Sequence, residues 1–213
     1  MTDRPRIGEM PVQDEAGRLF APSAARNADA IARVVARHAP ESGTALEIAS
    51  GTGQHVVRLA SEHPDLDWLP TDIDETRLRS IRARSEASGL GNLLPALRFD
   101  PVTDPWPEMD PPDLVLLVNL LHLISEGHAK AILDRVAQSM SRGGVFLLYG
   151  PFRREGRFAS EGDTAFDQSI RLRQPDCGYK DSRQIMDWTG AARLELLERV
   201  EMPANNLMFA FRR

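Results

Sequence analysis

Two periods of apolar spacing alternate along the 213 residues of this chain. Leu114-Val115-Leu116-Leu117-Val118 and Val145 to Tyr149 are continuous apolar runs, the signature of strands covered by helices on both faces of a parallel sheet. Shorter strands are predicted over 44–49, over Trp68-Leu69-Pro70-Thr71 up to Asp72, and over 93–99 up to Asp100. Helical spacing separates them. Ala24, Ala28, Ile31, Val34 and Val35 follow a start at Pro22-Ser23 and end near Pro40. Further helices are predicted over 53–63, stopped by Pro64, and over 74–88, ending at Gly89. Ser125 is the predicted N-cap of a helix over 126–140 that buries Ile132, Leu133, Val136 and Met140. Residues 101–112 form a proline-rich connection. The pattern loosens after Pro151 until about Ser182, where a helix over 182–190 and strands over 193–201 and 207–212 complete the chain. Such alternation predicts one doubly wound α/β domain over 1–213, with an irregular segment over 1–21. The long segment 151–181 is predicted to cover a site as a lid, since long structureless connections are usually functional.

Composition narrows the class. A length of 213 residues with 42% hydrophobic content is ordinary for one globular domain. No apolar stretch reaches ~18 residues, so no membrane span is expected. The charged, proline-bearing start lacks the apolar core of a secretory leader. Cys177 is the one cysteine, which excludes an internal disulfide and fits a reducing, cytoplasmic compartment. With five dispersed histidines, no metal-ligand spacing arises. The net charge of −5 gives no basic field for nucleic acid. Arg153, Arg154 and Arg157 are the only candidates for a local basic pocket, and a solvated loop is the plainer reading. A small molecule is therefore the expected partner, and the oligomeric state is left open.

The chemistry concentrates at Leu46 to Gln54, where a strand enters a glycine turn and a helix follows. Gly51 and Gly53 carry no Cβ, so backbone can approach a ligand closely there and take positive φ at little cost. The unpaired N–H groups opening the next helix carry partial positive charge. This is the entry of a nucleotide-type cofactor site. A dinucleotide fingerprint needs a third glycine, but position 56 is Val56. An acid, Glu47, stands inside the strand four residues before Gly51. That Glu-x-x-x-Gly-x-Gly run resembles the first motif of class I S-adenosylmethionine (SAM) dependent methyltransferases. Asp72 closes the second strand, where a carboxylate can accept both ribose hydroxyls. Asp100 closes the third, where those methyltransferases often place an acid for the adenine amino group.

A closer resemblance spans about Ala21 to the C-terminus. Ala25-Arg26-Asn27, Leu46 to His55, Thr71-Asp72-Ile73-Asp74, Tyr149-Gly150-Pro151 and Met202-Pro203-Ala204-Asn205-Asn206 resemble the methyltransferase-like 26 family, whose bacterial homologues are grouped as a domain of unknown function. The resemblance implies a Rossmann-like class I methyltransferase fold: a seven-stranded, mostly parallel sheet with helices on both faces and one antiparallel strand from the last hairpin. It implies a SAM site formed by Arg26, Glu47, Ala49, Ser50, Gly51, Gly53, Asp72, Ile73, Asp100 and Asn119. Where that family tends to have Pro-x-Trp-Gly-x-Arg-Asp, this chain has Pro175-Asp176-Cys177-Gly178-Tyr179-Lys180-Asp181. Lysine cannot make the bidentate fork of arginine, which bears on the acceptor pocket.

Arg26 is a candidate partner for the SAM carboxylate or a substrate anion. Asn119 and His122 follow the fourth strand, where methyltransferases present groups to donor and acceptor. His122 is a candidate catalytic base, since an unperturbed imidazole titrates near ~6.5. Tyr149 is a second catalytic candidate, through its hydroxyl. Asn27, Asn205 and Asn206 are substrate candidates, although an Asn-Asn turn is also a routine hairpin connection. The expected activity is methyl transfer from SAM to an oxygen, nitrogen or sulfur of a small molecule, driven by alignment in a dry pocket. A SAM-binding regulatory protein without chemistry and an NAD-dependent oxidoreductase are the two alternatives.

Overall fold

A computed structural model describes residues 11–213; residues 1–10 of the expected irregular segment lie outside the described residues. The chain opens with a small antiparallel hairpin, β1 (Val12–Gln13) and β2 (Leu19–Phe20), where irregular chain was expected. Then come α1 (Pro22–His38), β3 (Gly43–Ile48), α2 (Gln54–Glu62), β4 (Leu66–Asp72), α3 (Glu75–Ser88) and β5 (Leu97–Arg98). β6 (Leu114–Val118) leads through a 3-10 turn at Leu121–Leu123 into α4 (Glu126–Ser139) and β7 (Val145–Pro151). The chain ends with α5 (Glu161–Arg173), α6 (Ser182–Ala191), β8 (Glu195–Glu201) and β9 (Asn206–Arg212).

Seven strands form one sheet in the order β5-β4-β3-β6-β7-β9-β8. Pairing is parallel from β5 across to β7, and β9 runs antiparallel to both β7 and β8. The mostly parallel sheet and its final antiparallel hairpin are as expected. Because β3 lies beside β6, the chain winds one way from β3 and the other way from β6, and a crevice opens at the carboxyl ends between them. Leu46, Ile48, Val115, Leu117, Phe146 and Leu148 face one layer, built by α4 and α6. Ala45, Leu116, Leu147 and Tyr149 face the other, built by α1 and α2.

Local chemistry fixes the helix ends. Asp74 accepts from the backbone N–H of Thr76 and Arg77 at the start of α3, and Gly89 ends that helix at φ 65. Ser125 caps α4 by accepting from His128, as its position implied. Asp181 and Gln184 form a capping box on α6.

Two further expectations are corrected. The third strand is only Leu97–Arg98, with Leu93 making one isolated bridge to Trp68. Pro95 interrupts that stretch and has no N–H for a ladder. Within 151–181, where the apolar pattern is loose, α5 occupies thirteen residues. Its apolar side is narrow: Phe166 and Ile170 pack on Cys177 and Tyr179, while Asp167 is buried and engaged by polar partners.

Candidate active site

The turn after β3 is held in an unusual conformation. Ala49, Gly51 and Gly53 take φ of 57°, 60° and 79°. A residue with a Cβ, such as Ala49, is uncommon there and persists only where its surroundings hold it. The hold comes from β4. The Ser50 N–H donates to the Thr71 carbonyl at 2.7 Å, and the Thr71 N–H donates to Ser50 Oγ at 3.1 Å. Thr71 Oγ1 also donates to the Glu47 carbonyl at 2.8 Å. A Cβ placed on Gly51 would meet nothing closer than the Ala49 carbonyl at 3.9 Å, so that side of the turn is open to a ligand. A Cβ on Gly53 would come within 3.1 Å of Ile81 Cα, so this glycine is demanded by packing on α3 as well as by φ. No side chain caps α2, which leaves its first N–H groups available to an anionic or polar guest.

Asp72 ends β4 against this turn and is 1% exposed. Its Oδ2 accepts from the Gly51 N–H and its Oδ1 from the Asp74 N–H, both at 2.9 Å. Burial raises its pKa, opposed by Arg77 and by those two N–H groups. Ile73 follows, half-buried. Asp100 stands just past β5, half-buried, and accepts from the Val102 N–H at 2.9 Å, which shapes the local turn. Glu47 lies on the α1 side of β3 and is 1% exposed. One of its carboxylate oxygens, Oε2, has no hydrogen-bond partner. Burial lifts its pKa to about 8; a hydrogen bond from Ser50 works against the rise and the charge of Asp72 adds to it.

Asn27, on α1, is buried with its Oδ1 unpartnered. Burial raises the pKa of the Tyr149 hydroxyl, and a hydrogen bond from Asn27 lowers it. Arg26 is exposed on the same helix. Asn119 leaves β6 at φ 56°, its N–H donating to the Tyr149 carbonyl at 2.9 Å. Thus Glu47, Asn27 and Tyr149 share the α1 face at the carboxyl end of the sheet, beside the glycine turn.

His122 sits in the 3-10 turn, buried, with Nδ1 unpartnered. Its ring centroid lies 6.0 Å from that of Phe166 and 6.1 Å from that of Tyr179. Titration near neutrality, expected of an ordinary imidazole, does not hold. Burial drives its pKa to about 3, the positive charge of Lys180 adds to the fall, and Asp167 only partly opposes it. Lys180 is itself 2% exposed and donates from Nζ to the carbonyls of Ile124 and Gly178. It therefore ties the segment before α6 to the turn that carries His122. Burial lowers its pKa to about 8.

The last hairpin divides its two asparagines. Asn205, at φ 59°, donates from Nδ2 to Asp163 Oδ2 at 2.9 Å and so ties the turn to α5. Asn206 donates to the carbonyls of Pro203 and Ala204 and folds the turn itself. Arg154 pairs with Glu201 at 2.5 Å and Arg157 is exposed, so these two do not form a basic pocket. Two residues that hold the glycine turn went unread in the sequence, Ser80 and Arg84, and Gln54 entered only as the end of the turn's motif. Ser80 Oγ and Arg84 Nε both donate to the Thr52 carbonyl, at 2.9 and 3.0 Å, and Gln54 Oε1 accepts from Thr52 Oγ1 at 2.9 Å. The contacts of Ser80 and Arg84 join positions 28 and 32 residues apart, which no local spacing reveals.

Two clefts, of about 370 Å³ between α1 and the last hairpin and about 480 Å³ beside α6, lie away from this constellation. Among the described residues no group of His, Cys, Asp and Glu is placed to hold a metal ion. No described helix is long and apolar enough to cross a membrane.

A family model described as "Protein of unknown function (DUF938)" matches residues 18–213. Among solved structures, an O-methyltransferase family 2 protein from Planctomyces limnophilus, in complex with apigenin, superposes with a TM-score of 0.78 at 18% identity, over 90% of this chain and 60% of that one. An O-methyltransferase family protein from Burkholderia thailandensis gives 0.75 at 17% identity, over 87% and 56%. CalO1, a methyltransferase in calicheamicin biosynthesis in its S-adenosylhomocysteine (SAH) bound form, gives 0.69 at 20% identity, over 89% and 54%. This chain thus spans three-fifths or less of those proteins, and what it shares with them is the Rossmann-like class I methyltransferase fold.

Proposed function

The chain belongs to that family of proteins of unknown function, and we propose that it is a SAM-dependent methyltransferase acting on an oxygen, nitrogen or sulfur of a small molecule. The observation that carries the reading is a pair of orphaned buried acceptors, Glu47 Oε2 and Asn27 Oδ1, on one face beside an open glycine turn. Buried polar atoms without partners cost ~1–3 kcal/mol each, so a site that keeps two invites a donor-rich guest. The ammonium of the SAM methionine moiety has three donors and fits that demand.

The remaining residues accommodate the rest of the cofactor. Asp72 keeps lone pairs for the ribose hydroxyls, and Gly51 lets the backbone approach. Ala49, Ser50, Gly53 and Ile73 shape the wall, and Asp100 lies at the place for the adenine amino group. Arg26 reaches for the carboxylate and Asn119 for the methionine chain. When bound, SAM supplies an electrophilic methyl group on a sulfonium sulfur. The protein holds the acceptor in line with that methyl and excludes water, with Tyr149 and Asn205 on the acceptor side and α5 as cover. A His122 that stays neutral has a lone pair to orient an acceptor O–H or N–H but little basicity, so alignment carries the rate. The fold shared with an SAH-bound methyltransferase and the resemblance to the methyltransferase-like 26 family support the same reading.

Calorimetric titration with SAH, with NAD as control, tests it. Micromolar binding of SAH alone is expected. Binding of NAD in its place would revive the oxidoreductase, and no SAH binding would overturn the cofactor. The sealing of His122 beneath Phe166 and Tyr179 favours a second reading, a SAM-binding protein without transfer; methylated product from a metabolite pool would exclude it.

A further inference from the structure

The glycine turn is fastened to a part of the chain to which no role has been given. Thr52 lies between Gly51 and Gly53, so the peptide planes on either side of it can swing with little steric resistance. Two donors arrest the Thr52 carbonyl: Ser80 Oγ at 2.9 Å and Arg84 Nε at 3.0 Å, both from α3. The same two side chains hold the N-terminal hairpin. Ser80 Oγ accepts from the Leu19 N–H at 2.8 Å, and Arg84 Nη2 donates to the Leu19 carbonyl at 2.6 Å. Gln54 repeats the arrangement one step along, its Oε1 accepting from both Thr52 Oγ1 at 2.9 Å and the Ala21 N–H at 2.6 Å. Ser80 is 0% exposed and Leu19 8% exposed, so the Ser80 side of the junction is buried, while Arg84 and Gln54 are half-buried at its edge.

We infer that Ser80 and Arg84 are positioning residues for the cofactor turn, and that docking of the β1–β2 hairpin is coupled to cofactor occupancy. The inference rests on the SAM reading above. A cofactor seated on Gly51 needs the Thr52 peptide in one orientation, and that orientation is fixed by the side chains that clasp Leu19. A ligand that selects the arrested turn therefore selects the docked hairpin, and docking favours the ligand by the same factor.

Two measurements on the full chain decide it. The first is hydrogen exchange at the Leu19 and Ala21 amides of the unaltered protein, with and without saturating SAH. Exchange slowed at least fivefold by SAH, beyond any slowing at buried amides of α4, is expected. The second is SAH titration of Arg84→Lys, which has a single charged head for two carbonyls about the turn. A Kd at least tenfold weaker with an unchanged circular dichroism spectrum is expected. If the unaltered protein binds SAH but the two amides exchange at the same rate in both conditions, the coupling is wrong. A folded Arg84→Lys with wild-type Kd removes the positioning role. Should Arg84→Lys fail to fold, the exchange comparison decides alone. Failure of the unaltered protein to bind SAH would sink the cofactor reading, and the coupling with it.

Discussion

Replacing Glu47 with glutamine separates what this carboxyl does for the fold from what it does for a ligand. In the folded chain its pKa is raised from 4.5 to about 8, chiefly by burial. An unfolded chain gives up that proton near the ordinary value, so between these two pH values the folded state binds one proton more. The sign follows: stability due to this group is fully present below about 4.5 and is lost as pH rises through about 8. At ~1.4 kcal/mol per unit, the loss by pH 7.5 is roughly 4 kcal/mol. Glutamine has nearly the same volume and carries no titrating proton. Thermal or denaturant unfolding of both proteins at half-unit steps from pH 5 to 9 should show a wild-type stability that falls with pH more steeply than that of Glu47→Gln. The variant should be the more stable protein at pH 8. Binding should move the other way, because a carboxylate facing an ammonium is a charge-assisted partner and an amide is not. SAH affinity should drop by roughly 1.5–3 kcal/mol. Wild-type binding at pH 7 should also release a proton, seen as a binding enthalpy that varies with the ionisation enthalpy of the buffer, whereas the Glu47→Gln protein should show no such variation. Parallel stability curves for the two proteins would refute the burial argument. A steeper wild-type curve with unchanged SAH affinity would refute the ligand argument while leaving the burial argument standing.

The other expectations concern groups around the same turn. Asp72→Ala should weaken SAH binding by roughly 1.5–3 kcal/mol through lost charge-assisted hydrogen bonds, measured by calorimetry; unchanged affinity would reduce Asp72 to a tether for the Gly51 and Asp74 amides. Gly53→Ala should lower stability by roughly 1–3 kcal/mol, because the added Cβ meets Ile81 at 3.1 Å and φ is +79°. A melting temperature equal to wild type would show that the turn yields without cost. The His122 imidazole should stay neutral down to about pH 3, so its ring resonances in NMR should not shift between pH 5 and 8. A midpoint near 6.5 would mean that the side chain reaches water.

Where the sequence was legible, the information was local. The runs at 114–118 and 145–149 are apolar throughout because the structure buries both faces of β6 and β7. Gly51, Gly53 and Asp72 were readable because strand, turn and helix lie within one stretch and the acid falls at the end of the next strand. Helix α5 was not readable for a physical reason. Only Phe166 and Ile170 give it an apolar face, and its anchorage is polar, through Asp163 to Asn205 and Asp167 to the Tyr179 N–H. Its one local sign was Ser160 with Asp163 three residues on, a start signal that the structure uses as a cap. The expected strand over 93–99 erred in the opposite direction, because apolar residues beside an edge were counted as ladder.

The surroundings of His122, Tyr149 and Lys180 were the least legible part, because each of these side chains takes its character from a distant neighbour. His122 has an ordinary imidazole in sequence; Lys180, 58 positions later, and a cover of Phe166 and Tyr179 make it a neutral, buried ring. Asn27 is a substrate candidate in sequence, but its hydrogen bond with Tyr149 joins two elements far apart along the chain. In sequence Lys180 is only the lysine that stands where the resembling family has arginine; in the fold it is buried and bound to two backbone carbonyls. These pairings share a direction: the polar groups of α5 and of the segment before α6 are spent on holding that part of the chain in place. Asp163, Asp167 and Lys180 all hydrogen-bond to protein, whereas Glu47 and Asn27 each leave an oxygen unspent. Unpaired buried polar atoms therefore remain at two places near the carboxyl end of the sheet: Glu47 Oε2 and Asn27 Oδ1 on the α1 face, and His122 Nδ1 beneath Phe166 and Tyr179.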